Sequence, residues 1–475
     1  MKKKISIILI TLLLVLSFSS CGIASDALNG NDKINTGVLK EYNDLLYASK
    51  DFTTVEKFDN YILRWANKES IKTSYDKFGN IIMSKAPAEG YENGNGNSIN
   101  IQTSISVTDL KKSCIPVAMS LFLIKNVTEN NFMRIIFTNN SKGDFSGAEG
   151  INSRYLFTDN QINLDWRSDS EDNPPEFSII NGSAGTTINQ ISQPLQYVDS
   201  TYSKAYEISI NKLNGGNSSI MTGQNPNPIK IIGDLLASCK SSGILFELDN
   251  FNGGDSPYTY PTNASVSLVI NDNDISKFTK KVENAQNKFK DTYSKSQPNY
   301  TYTLTEKQKP DKVFSPENTN SIVSLLYTLV SEIYTRDETT GEIISTSNIG
   351  QISTLNNEFK LLVCGRSITR NGMAQLKDAY HIIASLSDVD YSLKSETPIW
   401  EVKENNKLLD AVTALGKDKY NIEPKVFKSF DKTENAIFAQ NKNLKNLISI
   451  KININNYVTQ TKLLLDLIQV KKPVE

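Results

Sequence analysis

The side chains that could do chemistry in this sequence are hydroxyls and a carboxylate at the ends of apolar stretches. Ser104 lies near the end of one such stretch, Thr138 ends the next, and Asp165 ends a third. A serine hydroxyl becomes a nucleophile beside a base, most often a histidine. The chain has a single histidine, His381, and no base is evident for Ser104 or Ser141. We therefore predict no catalytic residue.

Alternating strands and helices are expected to position these side chains. The stretch 98–107 alternates isoleucine with polar residues after a Gly/Asn-rich loop, which is typical of a strand that begins in a turn. Phe132–Thr138 and Gln161–Asp165 predict further buried strands, and Val117–Ile124 predicts a helix. This alternation indicates an α/β domain with a largely parallel sheet, whose ligands gather at the carboxyl ends of its strands.

The histidine is predicted to be structural. His381 lies within Met373–Leu386, where apolar residues recur at helical spacing. We interpret it as a surface or hydrogen-bonded helix residue rather than a zinc ligand. A metal site built on imidazoles cannot be assembled from one histidine.

The first residues indicate export. A basic start, Met1–Lys4, precedes the apolar stretch Ile5–Phe18, and Cys21 ends a sequence that resembles a bacterial lipobox. Residues 1–21 are thus predicted to be a lipoprotein signal peptide, with Cys21 lipidated at the extracytoplasmic face of a bacterial cell membrane. The alternative is a transmembrane anchor, for which the apolar stretch is short. Residues 22–36 are polar and are predicted to be a flexible tether.

Cysteine usage, charge and length limit the remaining classes. Cys114, Cys239 and Cys364 are widely spaced in apolar contexts, which predicts buried thiols, although a disulfide between two of them stays open. Lysine and arginine (51) nearly balance aspartate and glutamate (52), with no basic block beyond the leader, which argues against a nucleic-acid partner. The length of 475 residues predicts two domains.

Several consecutive sequence motifs after the predicted tether resemble those of a known family. Val38–Ala66 predicts two helices, and a hairpin turn follows at Asp76–Gly79 within YDKFGNIIMSKAPAEGYEN. The order of these elements, and this phrase almost residue for residue, resembles the aminoacyl-histidine (Xaa-His) dipeptidases, which are co-catalytic zinc exopeptidases. The resemblance implies a zinc-exopeptidase-like α/β fold, with a doubly wound sheet, helices on both faces and an inserted α+β lid.

The resemblance also divides the chain. It assigns residues 37–183 and 391–475 to a peptidase-like domain and residues 184–390 to the lid, through which a homodimer would form. Within the lid the sequence predicts four strands and two helices. The strands are Ala205–Ile210, Ile244–Leu248, Ala264–Ile270 and Phe359–Val363, and the helices are Asn227–Ser238 and Ile275–Phe289.

Most metal-site positions of the family carry other residues here. Ser104 and Ser106 stand where the family has the histidine and aspartate of Gln-Gly-His-x-Asp. Lys112 stands at the bridging aspartate. Ser141 replaces the general base, and Lys142 replaces the adjacent metal ligand. The resemblance implies two zinc ions in the family, and these replacements predict none in this chain.

Other positions of the family pattern are kept or altered in type. Asp165 keeps a carboxylate ligand position, Glu434 stands at a family glutamate, and Arg366 matches an R-S-S phrase. Asn217 replaces the histidine of the lid, and Phe430 replaces a histidine near Glu434. The candidate pocket therefore consists of eight residues: Ser104, Lys112, Ser141, Lys142, Asp165, Asn217, Arg366 and Glu434.

The preferred function is that of a lipid-anchored, dipeptidase-like protein without metallopeptidase activity. Lysines near Asp165 would repel divalent ions and could make the pocket attractive to a peptide carboxylate or another small anion. A salt-bridge cluster with no ligand is the alternative for these lysines. Two other functions stay open: an active Xaa-His-type metallodipeptidase with atypical ligands, and an unrelated solute-binding lipoprotein that supplies a transporter.

Overall fold

The computed structural model describes residues 28–91, 98–106, 110–141, 143–165, 177–219, 225–452 and 455–469, with the backbone alone for 28–33 and 110–112. The predicted signal peptide with Cys21, and Lys142, lie outside these ranges, and the side chain of Lys112 is not described. None of the helices in the described ranges combines the length and the apolar character needed to cross a bilayer.

The elements alternate along the chain as follows. The helices are α1 (Leu28–Ala48), α2 (Val55–Lys68), α3 (Leu110–Asn126), α4 (Ser146–Gly150), α5 (Pro228–Ser241), α6 (Ile275–Tyr293), α7 (Pro316–Thr328), α8 (Arg370–Leu386), α9 (Lys407–Tyr420), α10 (Glu434–Phe438) and α11 (Tyr457–Ile468). The strands are β1 (Lys72–Tyr75), β2 (Ile81–Lys85), β3 (Ile99–Ile105), β4 (Met133–Asn139), β5 (Asn160–Asp165), β6 (Ser178–Ser183), β7 (Gly185–Pro194), β8 (Tyr197–Asp199), β9 (Lys204–Asn211), β10 (Phe246–Gly253), β11 (Ala264–Ile270), β12 (Thr301–Lys307), β13 (Lys312–Phe314), β14 (Ile333–Arg336), β15 (Ile343–Ser353), β16 (Glu358–Ser367), β17 (Asp390–Thr397), β18 (Lys425–Ser429) and β19 (Asn446–Lys451).

The first sheet has the order β1-β2-β4-β3-β5-β19-β6-β18. Its centre, β4-β3-β5-β19, is parallel, while β1-β2, β2-β4 and β19-β6 are antiparallel pairs. The sheet is therefore mixed, and the predicted parallel arrangement holds for its central strands. The turn between β1 and β2 forces an antiparallel pair, because Asp76 Oδ1 accepts the backbone N–H groups of Phe78 and Asn80 and Gly79 takes a φ of +82°.

Helices cover both faces of the first sheet, as predicted. Side chains of β4 alternate between faces: Ile135 and Phe137 join the core beneath α1, α2, α3, α9 and α11, whereas Ile136 packs on the other face. That second face also holds Ala148 of α4 and Phe438 of α10. The doubly wound α/β prediction is thereby confirmed.

The flexible tether predicted for residues 22–36 is wrong from Leu28 onwards, because α1 begins there. The helix packs against α3, and Val38 and Leu45 are fully buried in the first core. Its opening residues are polar, so no apolar periodicity indicates a helix there. Packing of the later turns stabilises the helix as a whole.

The second sheet has the order β12-β9-β11-β10-β15-β16-β7-β17, with β14 paired to β15, and its pairs are antiparallel. Helices α5 to α8 pack against it around a separate core. We call this sheet and its helices the lid. The predicted α+β lid is confirmed, and each predicted strand and helix occurs, although β10 begins at Phe246 rather than Ile244.

The chain passes between the sheets at two adjacent points. Ser183 ends β6 and Trp400 follows β17, and the two residues exchange backbone hydrogen bonds of 2.9 and 3.0 Å. Strand β17 pairs with β7 of the second sheet, so the predicted return to the first domain at residue 391 comes too early. The rest of the predicted division into domains stays a prediction.

Two predictions about single residue types are confirmed. Cys114, Cys239 and Cys364 are buried and none of the three forms a disulfide. His381 is exposed on α8, where its ring centroid lies 5.6 Å from that of Tyr391. The histidine is thus a surface residue of the lid.

Candidate functional site

A buried carboxylate, Glu434, faces the strands at the centre of the first sheet. It is the first residue of α10 and is 4% exposed. Its Oε2 accepts hydrogen bonds from Gln102 Nε2 and Thr138 Oγ1, both at 2.6 Å, and its Oε1 accepts one from Ser104 Oγ at 3.1 Å. Gln102 and Ser104 alternate on β3, and Thr138 is the β4 partner of Ser104, so one face of the sheet presents all three donors.

The network continues sideways through the sheet. Gln102 Oε1 accepts a hydrogen bond from Asn163 Nδ2, and Asn163 Oδ1 accepts one from Ser449 Oγ at 2.7 Å. Polar side chains of β4, β3, β5 and β19 are thereby connected to Glu434. Because the linked groups are buried and hydrogen-bonded, they hold one another in fixed orientations.

The environment of Glu434 disfavours its charge. Burial raises the pKa of Glu434 to about 7, and the hydrogen bonds from Thr138, Ser104 and Gln102 lower the pKa without offsetting burial. The negative charge of Asp165, the last residue of β5, raises this pKa further. The two carboxylates therefore interact electrostatically.

A second cluster joins the lid to the first sheet. Asn217 Nδ2 and Ser219 Oγ donate to Oδ1 of Asp431 at 2.7 and 2.5 Å, and we call these three residues the Asp431 clamp. Beside the clamp, the ammonium of Lys432 lies 3.8 Å from the ring centroid of Tyr258. These contacts place the lid against the segment that leads into Glu434.

Arg366 lies behind this cluster on β16. It is 2% exposed, and its Nη1 donates to Ser218 Oγ at 2.9 Å, while Ser218 Oγ donates to the carbonyl of Tyr258 at 2.8 Å. The Nε atom of Arg366 has no hydrogen-bond partner, and no carboxylate of the described ranges lies within 4.0 Å of its guanidinium. Buried cations usually have an anionic partner. Arg366 is therefore a buried cation with unused donor capacity.

The predicted site residues fall into separate groups. Ser104, Asp165 and Glu434 come together. Asn217 and Arg366 belong to the lid, where Asn217 contacts Asp431 and Arg366 contacts Ser218. Ser141 lies after β4, where its N–H donates to Asn139 Oδ1 at 3.1 Å, and it is not part of the Glu434 network. Lys142 and the side chain of Lys112 lie outside what the structure describes, so the cationic pocket stays a prediction.

The sequence interpretation missed several residues that build the site. Gln102, Asn163 and Ser449 were not selected, although Gln102 shares a strand face with Ser104 through the two-residue period. Asp431 gave no signal, since its hydrogen bond with Asn217 joins positions 214 residues apart. Contacts of this kind depend on the tertiary fold.

The groups around Glu434 do not fit the two zinc ions that the family resemblance implies. Zinc takes imidazole, thiolate and carboxylate ligands. Here amide and hydroxyl groups donate hydrogen bonds to both oxygens of Glu434. Across the described ranges, no three histidine, cysteine, aspartate or glutamate side chains form a group that could hold a metal ion.

Comparison with known proteins identifies the fold. No family model matches the sequence. The cytosol non-specific dipeptidase of Escherichia coli (strain K12) is 18% identical over 407 residues, which are 78% of this chain and 82% of the relative. The crystal structure of the aminoacylhistidine dipeptidase from Vibrio alginolyticus matches with a TM-score of 0.72 at 18% identity, covering 88% of this chain and 93% of that one. The chain has the dipeptidase fold. This dipeptidase-like fold includes both sheets.

Proposed function

We propose that this dipeptidase-like chain binds small peptides or related carboxylates and does not hydrolyse them by metal chemistry. The observation that carries the proposal is the hydrogen bonding of Glu434. Gln102 and Thr138 donate to one of its oxygens and Ser104 to the other, and Ser104 stands where the family resemblance implies a zinc-binding histidine. Two hydrogen bonds on Oε2 and one on Oε1 occupy most of the lone pairs of this carboxylate, which argues against a metal ion there.

The lid supplies a group suited to an anionic ligand. Arg366 is buried, lacks a carboxylate partner within the described ranges and keeps an unpaired Nε. A guanidinium binds carboxylates through paired hydrogen bonds, and such charge-assisted bonds are the stronger ones. The α-carboxylate of a peptide is the simplest ligand that would neutralise this cation.

The proposal places the protein outside the bacterial cytoplasm. The basic start, the apolar stretch and Cys21 support a lipid anchor at the extracytoplasmic face of the membrane. A binding protein held at this surface would meet peptides as they reach the cell. Mass spectrometry of the mature N-terminus tests the lipid anchor. We expect a diacylglyceryl group on Cys21, whereas a mature chain that keeps residues 1–20 would contradict the anchor.

An active metallodipeptidase is the second candidate. It is favoured by the electrostatic interaction of Asp165 with Glu434, since two neighbouring carboxylates could share a cation. It is also supported by the similarity to two dipeptidases. This candidate requires that the donors around Glu434 rearrange when metal binds.

Titration with Xaa-His dipeptides separates the two candidates. Calorimetry should detect a free dipeptide acid but not its C-terminal amide, and chromatography should detect no hydrolysis after zinc is added. Arg366→Ala should weaken binding about 10- to 100-fold, the size of a lost charge-assisted hydrogen bond. Arg370→Ala is the control, because Arg370 is exposed and pairs with Glu401. Zinc-dependent hydrolysis would overturn the proposal, as would equal binding of acid and amide.

A further inference from the structure

A groove of about 480 Å³ runs between α5 and α6 of the lid. Its α5 wall is formed by Ile231, Leu235 and Ser238, and its α6 wall includes Lys281 and Lys288. The volume lies within the range of small-molecule sites, roughly 300–1,000 Å³. None of the lining residues belongs to the candidate pocket around Glu434 and Arg366, so the groove is independent of the proposed peptide site.

The polar part of the groove is cationic. Lys281 Nζ donates to Ser238 Oγ at 2.8 Å, which directs the ammonium across the groove. Neither Lys281 nor Lys288 has a carboxylate within 4.0 Å among the described residues. Asp234 also lines the groove, but its charge is paired with Lys230 at 2.6 Å. Two lysines therefore remain without a compensating acid.

The rest of the lining is apolar. Leu235 and Phe289 are buried beneath the groove, while Ile231, Ala285 and Tyr293 are only partly covered. The ring of Phe289 packs on that of Tyr293 with 5.0 Å between centroids, which makes a firm aromatic surface. A ligand with a hydrocarbon body would remove this surface from water.

We propose that the α5–α6 groove binds a small amphipathic anion, with an aliphatic or aromatic body on the apolar lining and an acid group at Lys281 and Lys288. Both lysines lie on one stripe of α6, since positions seven apart share a helix face. The acid group satisfies the ammonium groups, and the body fills the space between Leu235 and Tyr293. A ligand that has only the acid group, or only the apolar body, would make only part of these contacts.

Calorimetric titration of the purified protein with decanoate tests this proposal. We expect saturable binding of one decanoate per chain that weakens as salt is added, and binding of decan-1-ol at least about tenfold weaker because the alcohol lacks the charge. The double variant Lys281→Ala/Lys288→Ala should lose about tenfold or more in decanoate affinity. Ala285→Trp, which fills the groove and keeps both lysines, should abolish binding.

The matched control is Lys280→Ala/Lys290→Ala. This pair lies on the same helix, is exposed, does not line the groove and removes the same charge. It should bind decanoate as the wild-type protein does, and circular dichroism verifies that each variant is folded. The proposal is overturned if decanoate does not bind, if the alcohol binds equally well, or if both lysine pairs lower the affinity alike.

Discussion

Gln102 Nε2 lies 2.6 Å from Glu434 Oε2, and this hydrogen bond connects two positions that are 332 residues apart. It connects the central strand β3 to α10, which follows the lid in the sequence. The same oxygen accepts a hydrogen bond from Thr138. The dipeptidase-like fold thus encloses a carboxylate whose partners are neutral donors.

Removal of the Glu434 carboxyl should destabilise the protein more than its conversion to an amide. At pH 5.5 Glu434 is mostly protonated, because its pKa is raised to about 7. Glu434→Gln keeps an acceptor for Gln102 and Thr138, so we expect a change within about 1 kcal/mol. Glu434→Ala leaves buried donors unpaired and should cost about 3 kcal/mol. Urea unfolding measures both values, and equal losses would contradict the network.

The stability contributed by Glu434 should depend on pH. A carboxyl whose pKa rises from 4.5 in the unfolded chain to about 7 in the folded protein favours folding while it is protonated. That contribution is present below about pH 4.5 and is lost as the pH rises through about 7. Relative to Glu434→Gln, the wild-type protein should therefore lose about 2.5 kcal/mol of unfolding free energy between pH 5 and pH 8. A difference that does not change with pH would show that Glu434 does not titrate there.

The Asp431 clamp should behave as one unit. Asp431→Ala removes the acceptor of both Asn217 and Ser219, and Asn217→Ala/Ser219→Ala removes the donors. Each change should cost about 1 kcal/mol, and the triple variant should be no less stable than Asp431→Ala alone, because interacting residues are non-additive. Urea unfolding of the four proteins forms the cycle. Additive losses would mean that the two sides do not interact energetically.

The sequence predicted the parts of this molecule that depend on local pattern. Alternating isoleucines located β3, and the apolar run of β4 was found to within one residue at each end. The hairpin was identified because Gly79 and Asp76 have well-defined roles in a turn. The spacing of apolar residues also placed α5 and α6 correctly.

The features that the sequence missed arise from contacts between distant segments. The family resemblance indicates Glu434 and the strand pattern indicates Thr138, but the hydrogen bonds of Glu434 with Gln102 and Thr138 depend on the packing of α10 against β3 and β4. Asp431 lies in the short connection between β18 and α10, and its role depends on the hydrogen bond that it accepts from Asn217 of the lid. The helical start of α1 was missed because its opening turns are polar and its stability comes from burial further along the helix.

The metal content of the purified protein tests the central claim most directly. Elemental analysis after growth with added zinc should find no stoichiometric metal, because the oxygens of Glu434 accept hydrogen bonds from Gln102, Ser104 and Thr138. Two tightly bound ions per chain would contradict this account.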